Sequence, residues 1–273
     1  MIGTRPGGIS IILVQPKQPG NIGAAARAMK TMGLDPLVLV APPEDVQAHP
    51  DALRMAHGAH DVLQAARIAP TLAEALAGTT LAISTTHRRR AGRARALSPA
   101  EAAERLVAAL ARPPSPAVAR PSKRGAARAE DDAPRVALVF GREDRGLTTA
   151  ELDLCAHTSR VPAVTRHPSL NLAQAVMVYA WEIRRATLAA TPAATRATAV
   201  AMRRAAAPFQ EIDALFAEME NRLADEGPGA GRLSGPSRAA LLRSLRLFVG
   251  RAAPTSRETA VLRKLIRALD ASG

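Results

Sequence analysis

Three short segments hold most of the residues whose types and spacing could do chemistry. The first runs from Pro19 to Lys30 and reads PGNIGAAARAMK. Its glycines and alanines let a ligand or a neighbouring helix approach closely, and Arg27 projects a permanent cation one turn in. A guanidinium with a pKa above about 12 is a poor general base, so it suits holding a phosphate or stabilising a developing alkoxide. The second segment, Phe140 to Leu147, reads FGREDRGL, with two glycines bracketing four charged residues. The third, His167 to Ala175, reads HPSLNLAQA and places Ser169 and Asn171 at a helix start. Each has a plain reading as well: a βα turn with a solvated arginine, an exposed charged turn, and a helix cap.

The elements around them form a repeating pattern. Residues 9–15 (ISIILVQ) are a short apolar run suited to a buried strand, and 37–41 (LVLVA) are another. Between them Asn21 stands where an N-cap would. Ile22, Ala26, Met29 and Met32 follow near helical spacing, and Gly33 closes the helix. Strand, helix, strand with short connections is a βαβ unit and implies a parallel sheet. The pattern continues with a helix at 71–77, a strand at 80–84, a helix at 101–111 and strands at 136–140 and 159–164. A long helix from Leu170 to about Ala190 ends it. All three chemical segments sit next to the C-terminal ends of predicted strands, the edge where an open parallel sheet binds ligands.

Residues 1–190 therefore read as one α/β domain. Within it, residues 112–134 carry five prolines and little to bury, which marks a flexible insertion. Residues 191–207 read as a linker. Residues 208–273 hold three amphipathic helical patterns, at 209–223, 238–249 and 256–269, and form a small helical domain. From Arg184 onward there are 15 basic and 8 acidic residues, a surplus of +7.

Composition narrows the function classes. The 273 residues carry 37 Lys+Arg against 24 Asp+Glu, a net charge of +13 that points to a polyanionic partner, nucleic acid foremost. Only six aromatic residues occur, so stacking of successive bases is not the mode of recognition; shape and phosphate contacts are. The single cysteine excludes a disulfide framework within the chain, and His57 and His60 lack a third ligand, so no metal is expected. No apolar run approaches a membrane span, and the chain reads as cytoplasmic. There is neither a Walker-type phosphate loop nor a dinucleotide-binding glycine fingerprint.

In this order and spacing the three segments resemble the three motifs of the SPOUT methyltransferases: N-I-G-x-x-x-R at Asn21–Arg27, F-G-x-E-x-x-G-L at Phe140–Leu147, and S-L-N-L-x-x-A at Ser169–Ala175. The likeness covers about residues 9–188 and is closest to the TrmJ-type group of the SpoU/TrmH branch. The C-terminal basic helices also look like that group's extension. The chain departs from the family pattern at Ser84–His87, in the long 112–134 insertion and at Arg166–Pro168.

The resemblance implies an α/β domain whose C-terminal part forms a deep trefoil knot, a homodimer, and S-adenosylmethionine as methyl donor without a metal. The implied reaction is 2′-O-methylation of ribose in tRNA, at cytidine or uridine 32 of the anticodon loop. Alternatives are 2′-O-methylation of rRNA or of another tRNA position, and a non-catalytic RNA-binding protein on the same scaffold. Carried onto this sequence, the cofactor site comprises Thr85, Thr86, His87, Gly141, Val161, Pro168, Ser169 and Leu170. Arg27 is the central catalytic residue, with Asn21, Glu143 and Asn171 orienting it and shaping the site. Arg27, Lys30, Arg88 and Arg142 are the expected RNA contacts.

Overall fold

The protein was analysed as a computed structural model that describes residues 8–87, 95–110, 135–164, 169–190, 206–224 and 235–268. The expected insertion at 112–134 and nearly all of the linker at 191–207 lie outside them, as do Arg88 and Pro168.

Apolar, largely β-branched runs form the centre of the fold. Strand β1 (Ile9–Val14) pairs in parallel with β2 (Leu37–Val40) on one side and β5 (Arg135–Phe140) on the other. With β3 (Arg67–Ala69), β4 (Thr79–Thr85) and β6 (His157–Ser159) they make a six-stranded parallel sheet in the order β3-β2-β1-β5-β4-β6. Because side chains alternate along a strand, the central strands feed two cores. Ile9, Ile11, Leu13, Val136, Leu138 and Phe140 face one, while Ile12, Val14, Ala137 and Val139 face the other.

The first core is closed by α1 (Pro19–Met32), α5 (Pro99–Leu110) and α7 (Leu172–Ala189), with the one-turn helices α2 (Pro50–Met55) and α3 (His60–Gln64) packed outside α1. The second is closed by α4 (Leu72–Ala75), α6 (Thr149–Asp153) and Phe209, which opens α8 (Phe209–Ala224). Phe209 lies in one cluster with Leu147, Leu152 and Cys155. Two further helices, α9 (Gly235–Ala252) and α10 (Ser256–Ala268), pack on α8. Helices α8 and α9 thus touch the sheet domain, at β4 and at β6 and α6 respectively, while α10 packs on α8.

Several boundaries differ from the sequence reading. Asn21 is not the N-cap of α1: the helix begins two residues earlier at Pro19, behind Gln18. Proline at N1 supplies a preset φ and gives up an N–H that would be unpaired there anyway. Helix α7 starts at Leu172, because Asn171 caps it by accepting from the amides of Ala173 (2.9 Å) and Gln174 (3.4 Å). The strand expected at 159–164 is three residues long and ends at Ser159. It is held on both sides by one connection: Thr86 N–H donates to Ser159 O, and Leu97 N–H donates to Thr158 O while Arg160 N–H donates to Leu97 O. Among the described residues no helix is long and apolar enough to cross a membrane.

Candidate active site

A cavity opens beyond the C-terminal ends of β4 and β5. Thr85, Thr86 and His87 leave β4 along one wall. Gly141, Arg142, Glu143, Arg145, Gly146 and Leu147 of the loop after β5 form another, and Val161, Ser169 and Leu170 close it from the segment before α7. Seven of the eight residues expected to hold a cofactor therefore line one space, the eighth being Pro168, outside the described residues. The floor was not expected. It is made by Phe140, Leu172, Ala175 and Tyr179.

Tyr179, the chain's one tyrosine, is buried edge-on to Phe140, with ring centroids 5.7 Å apart. Its hydroxyl donates to Ser159 Oγ at 2.8 Å, and Ser159 donates on to Leu97 O at 3.0 Å. Burial pushes the phenol up to about 12 against the opposing pull of the Ser159 bond, so it stays a neutral donor. This chain of bonds ties α7, β6 and the return at Leu97 together under the cavity. Thr85 Oγ1 donates to Val139 O at 3.1 Å, which fixes the first wall to β5.

The loop after β5 is a closed unit. Arg142 and Gly146 form a β-bridge, with Gly146 N–H donating to Arg142 O at 2.9 Å. Arg142 then turns inward. Its Nη1 and Nη2 donate to the two Glu151 oxygens at 2.9 Å each, and Nε donates to Gln15 Oε1 at 2.8 Å. With side-chain exposures of 9% and 16%, Arg142 and Glu151 are a half-hidden bidentate pair. Arg142 was expected to contact RNA; instead its donors are directed into the protein and it serves the loop. Glu151 also completes a capping box with Thr148.

Glu143 sits at the junction of all three chemical segments. Its carboxylate accepts from the backbone N–H of Lys17 (2.9 Å) and of Gln18 (3.3 Å), and from Asn21 Nδ2 at 3.1 Å. Asn171 Nδ2 in turn donates to Asn21 Oδ1 at 2.9 Å. An acceptor-only carboxylate at one end fixes the direction of both amides. Burial raises the Glu143 pKa, but the bonds from Lys17, Asn21 and Gln18 prevail and leave it below the ordinary carboxylate value. Glu151 is likewise held low, the Arg142 and Thr148 bonds outweighing its burial. Since both folded values lie below the unfolded ones, these bonds are at full strength above the ordinary carboxylate range. They are lost only as pH falls through the depressed values.

Asn21, Glu143 and Asn171 are thus brought together, although only Glu143 lines the cavity itself. Arg27 is placed differently. It is exposed on α1, does not line the cavity, and its side chain has no hydrogen bond or ion pair among the described residues. Lys30 is paired with Asp61 on the surface. Among the described residues no three His, Cys, Asp or Glu side chains assemble as a metal-ligand group.

A parallel α/β sheet with a ligand cavity at its C-terminal edge, built from βα loops and lined by glycine, serine and leucine, defines a small-molecule-binding catalytic domain. The model of the SpoU rRNA methylase family matches residues 8–181, and the chain belongs to that family. The tRNA (cytidine/uridine/adenosine-2′-O-)-methyltransferase TrmJ of Pseudomonas aeruginosa is 36% identical over 262 residues, covering 94% of this chain and 92% of its own. The uncharacterized tRNA/rRNA methyltransferase LasT of Escherichia coli K12 is 43% identical over 193 residues, 70% of this chain and 73% of its own. The crystal structure of TrmJ from Z. mobilis ZM4 superposes with a TM-score of 0.72 at 31% identity, covering 96% of this chain and 98% of that one.

Proposed function

We propose that the chain transfers a methyl group from S-adenosylmethionine to the ribose 2′-hydroxyl of tRNA, at nucleotide 32 in the anticodon loop. The observation that carries this reading is the meeting of three sequence-distant segments at Glu143, beside one cavity. The TrmJ relatives, similar over nearly the whole chain including the C-terminal helices, favour tRNA as the substrate. A tRNA-modifying role also suits a cytoplasmic protein.

The cavity fits the proposed cofactor in its chemistry. Leu147, Val161, Leu170 and Leu172 offer apolar faces to a purine, while Thr86, Ser169 and nearby backbone groups offer polar contacts to a ribose. When bound there, S-adenosylmethionine supplies an electrophilic methyl group. The chain's own contribution is to position the hydroxyl acceptor and to favour loss of its proton. Arg27 would hold the phosphate next to the target ribose and stabilise the alkoxide as charge develops. Asn21, Glu143 and Asn171 would keep α1, the β5 loop and the start of α7 in one fixed arrangement. Glu143 takes no proton in this scheme, the three donors on its carboxylate holding it ionised.

Leu170 gives a direct test of the cavity. It is 37% exposed, so Leu170→Glu leaves the core intact. Burying the new carboxylate against the cofactor costs a few kcal/mol, and the affinity for S-adenosylhomocysteine is expected to fall by about 100-fold at an unchanged melting temperature. Parental affinity in calorimetry would move the site elsewhere.

Two further features belong to this reading. The flanking of β6 by Thr86 and Leu97 supports a chain threaded into the family's trefoil knot. Trp181 (52% exposed) and Leu188 (60% exposed) lie seven residues apart on the outer face of α7, an apolar stripe that a second copy would cover in a homodimer.

Substrate choice is tested by incubating purified tRNA and rRNA with the protein and labelled cofactor, then mapping the methylated nucleotide. Label at ribose 32 of tRNA is expected. The alternative, 2′-O-methylation of rRNA or of another tRNA position, draws on the 43% identity over 193 residues to LasT, a protein named as a tRNA/rRNA methyltransferase. Label found only at such a site would establish it.

A further inference from the structure

Near the N-terminal ends of β4 and β6, away from the loops that line the cofactor cavity, α5, β6 and α9 border a second, open cavity of about 410 Å³. Glu101, Glu104, Arg105, Ala108 and Ala109 of α5 form one wall, and Gly250, Arg251 and Ala253 form the other, with Leu81 and His157 between them. The wall formed by α9 is anchored to the sheet domain. Gly250 packs so closely on Ala156 that a Cβ there would come within 3.1 Å of the Ala156 methyl. Arg243 pairs with Asp153 at 2.8 Å, and Ala207 N–H donates to Pro254 O. Ala253 ends α9 in the left-handed region at φ 47°, a conformation an alanine adopts at a cost and that places it against the cavity.

The charges inside this groove are not matched to one another. Arg105 and Arg251 reach it from opposite walls, and neither guanidinium has a partner among the described residues. The His157 ring, between them, has none either. Glu101 is already engaged by Arg95 and by the amide of Ser98, which donates at 2.7 Å. Among the described residues that leaves the exposed Glu104 as the free acid on the rim. Burial, reinforced by the charges of Arg105 and Arg251, lowers His157 to about 4. At neutral pH its ring is therefore uncharged and offers one N–H donor and one acceptor. Arg251 in the last turn of α9 also offsets the negative end of that helix.

We propose that this groove seats a backbone phosphate of the RNA substrate, gripped by Arg105 and Arg251 at the junction of the sheet domain and the C-terminal helices. The proposal rests on the tRNA reading above and adds a place where the body of the molecule is held. Two arginines from different elements form a converging fork, the arrangement that suits a phosphodiester better than a single lysine would. Glu104 opposes the contact. It moderates affinity and allows the RNA to leave.

The test measures binding of whole tRNA to the full-length chain across a salt series, with S-adenosylhomocysteine affinity as the control for folding. Both arginines are exposed, so Arg105→Gln/Arg251→Gln leaves the fold unchanged. Because the two arginines grip one phosphate, losing both is expected to flatten the slope of log K against log salt by about 1 and to weaken binding at least tenfold at physiological salt. Glu104→Gln should move the other way and bind severalfold more tightly. An unchanged slope in the double variant, in a protein that still methylates tRNA, overturns the groove while leaving the methyltransferase reading standing. If the parent binds no tRNA, that reading and this one fall together. Submillimolar binding of inorganic phosphate that the double variant loses, with tRNA binding unaltered, would make a free anion the ligand and overturn the RNA contact.

Discussion

Replacing Arg27 with alanine is expected to lower methyl transfer by about 10²–10³-fold while S-adenosylhomocysteine binds within about twofold of the parent. The magnitude is that of removing one preorganised donor from a developing oxyanion. The separation of the two effects follows from placement. Arg27 is exposed, lies on α1 rather than on any cavity wall, and has no partner among the described residues whose loss would disturb the fold. Its position is nonetheless rigid. Four residues earlier, Gly23 faces α2 so tightly that a Cβ would fall 2.0 Å from Ala52 O. Helix α1 therefore cannot roll to redirect the guanidinium. Arg27→Lys refines the expectation: it keeps the charge but loses the fork, and activity between parent and alanine variant is expected. Steady-state methylation of tRNA and calorimetry with the product measure the two quantities. Alanine-variant activity within a few-fold of the parent would rule out the role assigned to Arg27.

How legible the molecule was in its sequence depended on element length and on the separation of partners. Strands β1, β2 and β5 were readable because buried parallel strands are continuous apolar runs, and α1 and α7 because several turns of periodicity accumulate over 14 and 18 residues. Helices α2, α3 and α6 have six residues or fewer and β3 has three, too short for any period to register. The β3 edge strand also exposes Arg67 and Ile68, so it lacks even an apolar run. Val161 and Val164 suggested a longer β6, yet the pairing involves 157–159 and Val164 is fully exposed.

The site divides in the same way. Its residues could be located because they cluster in three motifs, but their mutual roles could not. The Asn171–Asn21 bond spans 150 positions and the Asn21–Glu143 bond 122, and nothing local announces either. Arg142 misled because a charge between two glycines looks solvent-directed, whereas its partner Glu151 lies nine residues on, inside the next helix. Tyr179 falls at an apolar position of α7, in register with Leu172, Val176 and Ile183. It is also a wall of the cavity, a double duty that periodicity cannot express. Proline at N1 of α1 was a usable signal, outweighed by the capping reputation of asparagine.

A second large effect is expected at Gly141. A Cβ on this residue would lie 2.3 Å from Gly146 C and 2.4 Å from Leu147 N, distances no real side chain shows. The obstacle is backbone, not the end of a flexible side chain, so the loop from Gly141 to Leu147 must move bodily. That movement would pull against the Arg142–Gly146 bridge and the Arg142–Glu151 pair, which hold the loop shut. Gly141→Ala is therefore expected to destabilise the protein by about 3 kcal/mol, the upper part of the range for overpacking. For a chain of this size the melting temperature should fall by roughly 6–10 °C. Because the same loop is a cavity wall, affinity for S-adenosylhomocysteine should fall at least about 100-fold even well below the melting transition. Gly146→Ala supplies the contrast. Nothing lies within 4 Å of its would-be Cβ, and its only difficulty is a φ of +70°. Its cost should be about 1 kcal/mol, with the cavity nearly intact. Thermal melts and calorimetry on the two variants, side by side, separate crowding of the loop from backbone strain. If Gly141→Ala melts and binds like the parent, the β5 loop does not shape the cofactor cavity, and the adenosyl group must be held by the β4 and α7 walls alone.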